Sequence, residues 1–145
     1  MSTTATNAPD KILYTATATA LGGREGKVST DDGKLDVTVA MPKALGGNGN
    51  GTNPEQLFAA GYAACFGSAL GHIATSQKIK TGPVQIRAEV GIGPKGAGFG
   101  LSVKLVATIA ELDREAATKL LHAAHEVCPY SNATRGNIPV TVELA

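Results

Sequence analysis

Asn53-Pro54-Glu55-Gln56-Leu57-Phe58-Ala59-Ala60-Gly61-Tyr62-Ala63-Ala64-Cys65-Phe66 reads as the start of a helix. Thr52 and Asn53 are N-cap residues, whose short side chains accept hydrogen bonds from first-turn amides that have no partner inside the helix. Pro54 is preset for the first helical position, where its missing N–H costs nothing. The spacing predicts a helix to about Gln77, with Leu57, Phe58, Gly61, Ala64 and Ser68 recurring along it. Cys65, one of two cysteines in the chain, falls on this helix of small residues. A mid-helix thiol gains nothing from the macrodipole, which fades within a turn, so a reactive Cys65 needs a cation beside it. The competing reading is a small apolar residue filling the core.

Working outward, Lys11 to Ala20 alternates, with Tyr14, Ala16 and Ala18 on one face and three threonines on the other, which predicts a half-buried strand. Leu21 to Gly26 breaks it, Lys27 to Thr30 is a second strand, and Asp31-Asp32-Gly33 is a tight turn into a third strand carrying Leu35, Val37 and Val39. These make an antiparallel meander. Gly46 to Gly51 forms a loop ahead of the helix; without a Gly-Lys-Ser/Thr ending it is no phosphate cradle. Val84 to Gly93 and Leu101 to Ala110 read as strands joined by a Gly-rich segment, Pro94 to Gly100, with Leu101, Val103, Leu105, Ala107 and Ile109 facing the core. Asp113 caps a helix to about Val127, and Ile138 to Leu144 is a last strand with Pro139 near its start. The fold class is α+β, in one domain from residue 11 to 145 after a disordered leader at residues 1–10.

With 145 residues the chain fits one domain, and a formal net charge of +1 without blocks of like charge leaves no electrostatic footprint for nucleic acid or an anionic membrane. No apolar run is read as spanning a bilayer, and Met1 to Asp10 lack a secretory signal's basic start and apolar segment, so a cytoplasmic protein is expected. In a reducing compartment, two cysteines suggest a catalytic or sensing pair before a structural bridge. Few aromatic residues and abundant Gly and Ala leave each subunit short of bulky core material, which a dimer interface would supply.

Cys128 lies in the turn-forming stretch Val127-Cys128-Pro129-Tyr130-Ser131-Asn132-Ala133-Thr134-Arg135-Gly136-Asn137, where local backbone can shift without disturbing a core element, as a resolving thiol requires. Arg24 sits in a Gly-flanked turn that can aim its side chain; a solvated hairpin arginine is the alternative. Glu55 is either a first-turn acid favoured by the helix dipole or the partner that holds Arg24 in a two-pronged fork. Ten helical residues put Glu55 about 15 Å along the axis from Cys65, so if both belong to one site the acid comes from another chain. His122, His125 and Cys128 partly share a helical face, but a structural zinc needs four ligands and no partner motif stands elsewhere. His72 is another candidate base, or a packed histidine. No Gly-x-Ser-x-Gly elbow supports an acyl hydrolase.

Gly23-Arg24, the Gly-rich loop into Thr52 to Tyr62, Ala64-Cys65-Phe66 and Val127 to Asn137 together resemble the organic hydroperoxide resistance proteins of the OsmC superfamily. The resemblance covers the chain from about Lys11 onward. Ala63, where many relatives carry Ser, and Gly71-His72, in place of Lys-Phe, depart from the pattern without touching the proposed catalytic positions. The resemblance implies an OsmC-like fold in an intertwined homodimer, with antiparallel sheets from both subunits around central helices. It implies that Cys65 is the peroxidatic thiol, Cys128 the resolving thiol, and Arg24 with Glu55 the activating pair from the partner subunit. No metal or organic cofactor is implied. The expected activity is reduction of alkyl and fatty-acid hydroperoxides, recycled by a dithiol such as dihydrolipoamide or a lipoylated protein. An apolar pocket lined by Phe58, Phe66, Leu45 and Phe99 is expected to take the organic tail. The alternatives are a non-catalytic thiol redox sensor, a small-ligand-binding dimer, and a protein whose thiols are inert.

Overall fold

Gly-rich turns and short alternating runs give the first part of the chain its meander, as seen in a computed structural model that describes residues 7–145. Strands β1 (Ala18–Leu21), β2 (Gly26–Thr30) and β3 (Asp36–Val39) pair antiparallel in that order. Gly22 and Gly23, with φ of 86° and 60°, make the β1–β2 reversal that a side chain would disfavour. After a single 3₁₀ turn at Lys43–Leu45, the chain returns to β3, where Ala40 N–H donates to Thr52 O and Thr52 N–H to Thr38 O, both at 2.9 Å. That return fixes the start of α1 (Pro54–Ser76) next to β3. The chain forms two compact units, one ending at Leu57 and the other spanning Phe58–Ala145.

The second unit is a sheet of β4 (Val84–Lys95), β5 (Gly98–Ile109) and β6 (Val140–Leu144), with α2 (Arg114–Val127) and α3 (Pro129–Thr134) between β5 and β6. Tyr62, Phe66 and Leu70 from α1, Val103, Leu105, Ala107 and Ile109 from β5, and Leu120, Leu121 and Ala124 from α2 form one core cluster. The inward period-two face of β5 matches the sequence reading, apart from Leu101, which is half-buried. The caps match as well: Asn53 Oδ1 accepts from Gln56 N–H at 2.8 Å, and Asp113 Oδ1 from Ala116 N–H at 2.9 Å.

Several expectations change. The strand expected over residues 11–20 pairs only from Ala18, and Leu13 and Tyr14 are 87% and 80% exposed, since no element among the described residues covers that face. Of the expected leader, residues 1–6 lie outside the described residues, and Asn7 to Asp10 are exposed without regular structure. The Gly-rich segment Pro94 to Gly100 is strand, not loop. β4 and β5 run on to a two-residue Gly96-Ala97 turn, Gly96 supplies φ 56°, and Pro94 is tolerated because β4 is an edge strand. The turn expected after Cys128 is the short helix α3, with Pro129 in its first turn. Three ladders are antiparallel as expected, but β6 joins β5 in parallel, because α2 and α3 provide the crossover a parallel pair needs. Finally, α1 is long and apolar enough to cross a membrane by length and composition alone, which the sequence reading denied. Here its Tyr62, Phe66 and Leu70 face is core.

These packing assignments predict that Asp113→Ala costs about 1 kcal/mol through the lost cap and Leu70→Ala about 2–5 kcal/mol through the cavity it leaves, read as urea unfolding midpoints. Equal losses for the two would contradict the assignment of Leu70 to the core.

Candidate active site

Arg24 leaves the β1–β2 turn and meets Glu55 in the first turn of α1 in a two-pronged pair: Nη1 donates to Oε2 at 2.9 Å and Nη2 to Oε1 at 2.6 Å. The paired geometry fixes the guanidinium plane, and among the described residues its other N–H donors have no side-chain partner. Glu55 is mostly covered, with 13% of its side chain exposed, and the Arg24 hydrogen bonds hold its carboxyl below the usual value against the opposing effect of burial. Of the two readings of Glu55 that the sequence left open, the fork with Arg24 is present within a single chain.

The two cysteines, far apart in sequence, converge. Cys128 is fully buried at the junction of α2 and α3, and its Sγ donates to Sγ of the half-buried Cys65 at 3.7 Å. A disulfide needs about 2.05 Å, so the thiols are unbonded but one short movement from bonding. Burial pushes the Cys65 thiol above its ordinary value, the Tyr130 backbone amide opposes that, and Cys128 adds to the rise. Nothing in this arrangement alone generates a thiolate, in keeping with the need for a cation.

The α2–α3 kink that carries Cys128 is pinned from both sides. Its N–H donates to Ala124 O and its carbonyl accepts from Asn132 N–H, both at 2.9 Å. Beneath it, Tyr62 Oη lies 2.9 Å from Ser131 Oγ and 3.1 Å from Thr134 Oγ1, and His125 Nδ1 lies 2.7 Å from Ser131 Oγ. This network was missed in the sequence. Its signal was the one tyrosine of α1, set between Gly61 and Ala63, since a buried phenol needs a partner. Gly61 lets the Tyr130 ring cross α1 one turn before Cys65; a Cβ there would sit 2.8 Å from the Tyr130 hydroxyl. Phe58, Tyr62 and Tyr130 pack ring to ring at 5.5–6.1 Å.

A cavity of about 390 Å³ opens beside Tyr130, lined mainly by Phe58, Leu101, Ala133, Thr134 and Ile138. Of the expected lining residues only Phe58 takes part: Phe66 is fully buried in the core and Phe99 projects from the β4–β5 hairpin. Leu45, 40% exposed, belongs to the other unit. Of the possible ligand set from the sequence, His122 is exposed, His125 is engaged with Ser131 and Cys128 meets Cys65, and the candidate base His72 is exposed. Among the described residues no group of three or more His, Cys, Asp or Glu is placed to hold a metal ion.

An α+β scaffold that brings two free thiols together defines a dithiol protein. Residues 47–143 match the model of the OsmC-like protein family, and the chain belongs to that family. It is 53% identical over 139 residues to an organic hydroperoxide resistance protein of Xanthomonas axonopodis pv. citri, covering 94% of this chain and 98% of that one. It is 52% identical to organic hydroperoxide resistance protein OhrB of Bacillus subtilis, covering 91% and 98%. Among solved structures, an organic hydroperoxide resistance protein from Legionella pneumophila superposes with a TM-score of 0.90 at 52% identity, covering 93% of this chain and 99% of that one. A Vibrio cholerae relative with captopril bound in one of its active sites gives 0.91 at 51%, covering 95% and 96%.

The fork sets a pH dependence. A carboxyl held below its unfolded value stabilises the folded state above that value, and the contribution disappears as pH falls through the folded value. Glu55→Gln is therefore expected to lower Tm at pH 7, with the difference from the parent shrinking below about pH 4. A difference that stays constant down to pH 3 would contradict the pairing.

Proposed function

We propose that the protein is a thiol-dependent peroxidase that reduces organic hydroperoxides, and that its two units act as one peroxidase domain. The observation that carries this reading is the 3.7 Å approach of two unbonded thiols, one half-exposed and one buried. The names of the relatives support the substrate class, and the apolar cavity beside Tyr130 suits an alkyl or fatty-acid tail better than hydrogen peroxide.

In the first step the Cys65 thiolate attacks the distal peroxide oxygen; the O–O bond breaks, the alkoxide takes a proton and leaves as alcohol, and Cys65 becomes a sulfenic acid. Cys128 then attacks that sulfur, the S–S bond forms, and the sulfenic hydroxyl leaves with a proton as water. An external dithiol reopens the bridge by exchange and is itself oxidised to a cyclic disulfide. Dihydrolipoamide, free or on a lipoylated protein, is the reductant we propose.

The cation that the thiolate needs is Arg24, oriented by Glu55 and donated by the partner subunit of a homodimer. Two observations support this. Glu55 and Cys65 lie ten residues apart on one helix, about 15 Å along its axis, which is too far for direct contact within a chain. The single chain also exposes Ile12, Leu13, Tyr14 and Leu21, apolar surface that a second copy would cover. No resident cofactor enters this chemistry, and the cytoplasm, where dithiol reductants are maintained, is the proposed compartment.

With excess dihydrolipoamide the parent is expected to consume tert-butyl hydroperoxide over many turnovers, faster than hydrogen peroxide, and Cys65→Ser is expected to lose that turnover entirely. A folded, fully reduced parent that reacts once and stops would point instead to a thiol sensor.

A further inference from the structure

The polar network under Cys128 contains more hydrogen bonds than its protons can satisfy in arbitrary directions. Thr134 Oγ1 lies 3.0 Å from the Tyr130 carbonyl, which can only accept, so the Thr134 proton is spent there. Tyr62 must then donate to Thr134, and Ser131 must donate to Tyr62. Ser131 has no second proton, so at 2.7 Å the donor is His125 Nδ1–H. The chain of donors therefore runs His125, Ser131, Tyr62, Thr134, and ends on the carbonyl of Tyr130. Arg135 Nη2 adds a bond to the His125 carbonyl at 2.5 Å. His125 thus ties α2 to the middle of α3 through its ring on Ser131 and to the C-cap of α3 through its carbonyl on Arg135.

We propose, on the basis of the peroxidase reading above, that His125 is a positioning residue for disulfide closing. Through Nδ1–H it locks α3 against α2 and so holds the Cys128 thiol toward Cys65. The step it serves is attack of the Cys128 sulfur on the Cys65 sulfenic sulfur, with the S–S bond forming as the S–O bond breaks and water leaving. The sulfurs must close from 3.7 Å to about 2.05 Å, and a loosened α3 would let Cys128 swing away instead. His125 touches neither sulfur in this account; it acts through Ser131 and the kink. Burial, followed by Arg135, lowers its proton affinity, so the ring is neutral at pH 7 and free to hold the Nδ1–H form.

The test exploits the shape of asparagine, whose amide N–H stands near the position of Nδ1–H. Reduced parent, His125→Asn, His125→Phe and Ser131→Ala receive one equivalent of tert-butyl hydroperoxide, and dimedone trapping with mass spectrometry follows sulfenic acid and disulfide over time. His125→Phe and Ser131→Ala are expected to prolong the sulfenate about tenfold relative to the parent and to over-oxidise at lower peroxide, while His125→Asn closes nearly as fast as the parent. Closing at the parent rate in folded Phe and Ala variants overturns the proposal, as does an Asn variant as slow as Phe, which would mean that ring volume alone matters. Ser131→Ala, the smaller change, keeps the test open if His125→Phe does not fold. A parent that forms neither sulfenate nor disulfide removes the peroxidase reading itself, and this positioning role with it.

Discussion

The close approach of two sulfur atoms across α1 and the α2–α3 kink is the constraint on which the rest of the second unit depends. Helices cannot come this near unless the residues between them are small or flat. Gly61 and the alanines of α1 meet that demand, and Gly61 in particular leaves room for the Tyr130 ring. The kink exists because Pro129 starts a new helix directly after Cys128, turning the chain at the residue whose side chain must point inward. The parallel placement of β6 follows from the same crossover, since α2 and α3 carry the chain back to begin β6 alongside β5.

A half-buried thiol beside a fully buried one and a partly exposed ion pair ask for opposite environments. Burial disfavours the Cys65 thiolate, while the Arg24–Glu55 fork keeps its own charges by hydrogen bonding in a partly wet position. The homodimer we propose would reconcile the two by placing the cation of one chain beside the thiol of the other. Without such a cation, burial alone keeps the Cys65 thiol above its ordinary value.

What the sequence disclosed was local. Asn53, Pro54 and Asp113 announce their helices by cap chemistry, and the alternation of β5 declares its buried face. Cys128, Arg24 and Glu55 stood out as rare chemistry at turns and a helix start, and Cys65 as one of only two cysteines, set in the middle of a helix. What the sequence hid depends on distant partners. Tyr14 alternates like a half-buried strand residue yet is exposed, because alternation says which face is apolar but not whether anything covers it. The Gly-rich hairpin hid its strands because glycine lowers strand propensity without forbidding pairing. The Tyr62–Ser131–His125 chain joins three helices and left no mark beyond a lone phenol, since hydrogen-bond partners this far apart in sequence carry no spacing signal.

The most direct test of the account is to oxidise the reduced protein with one equivalent of tert-butyl hydroperoxide and map its peptides by mass spectrometry without reduction. The account predicts a Cys65–Cys128 bridge within a single chain as the main product. Two intact thiols after all the peroxide is offered, or bridges chiefly between chains, would contradict it.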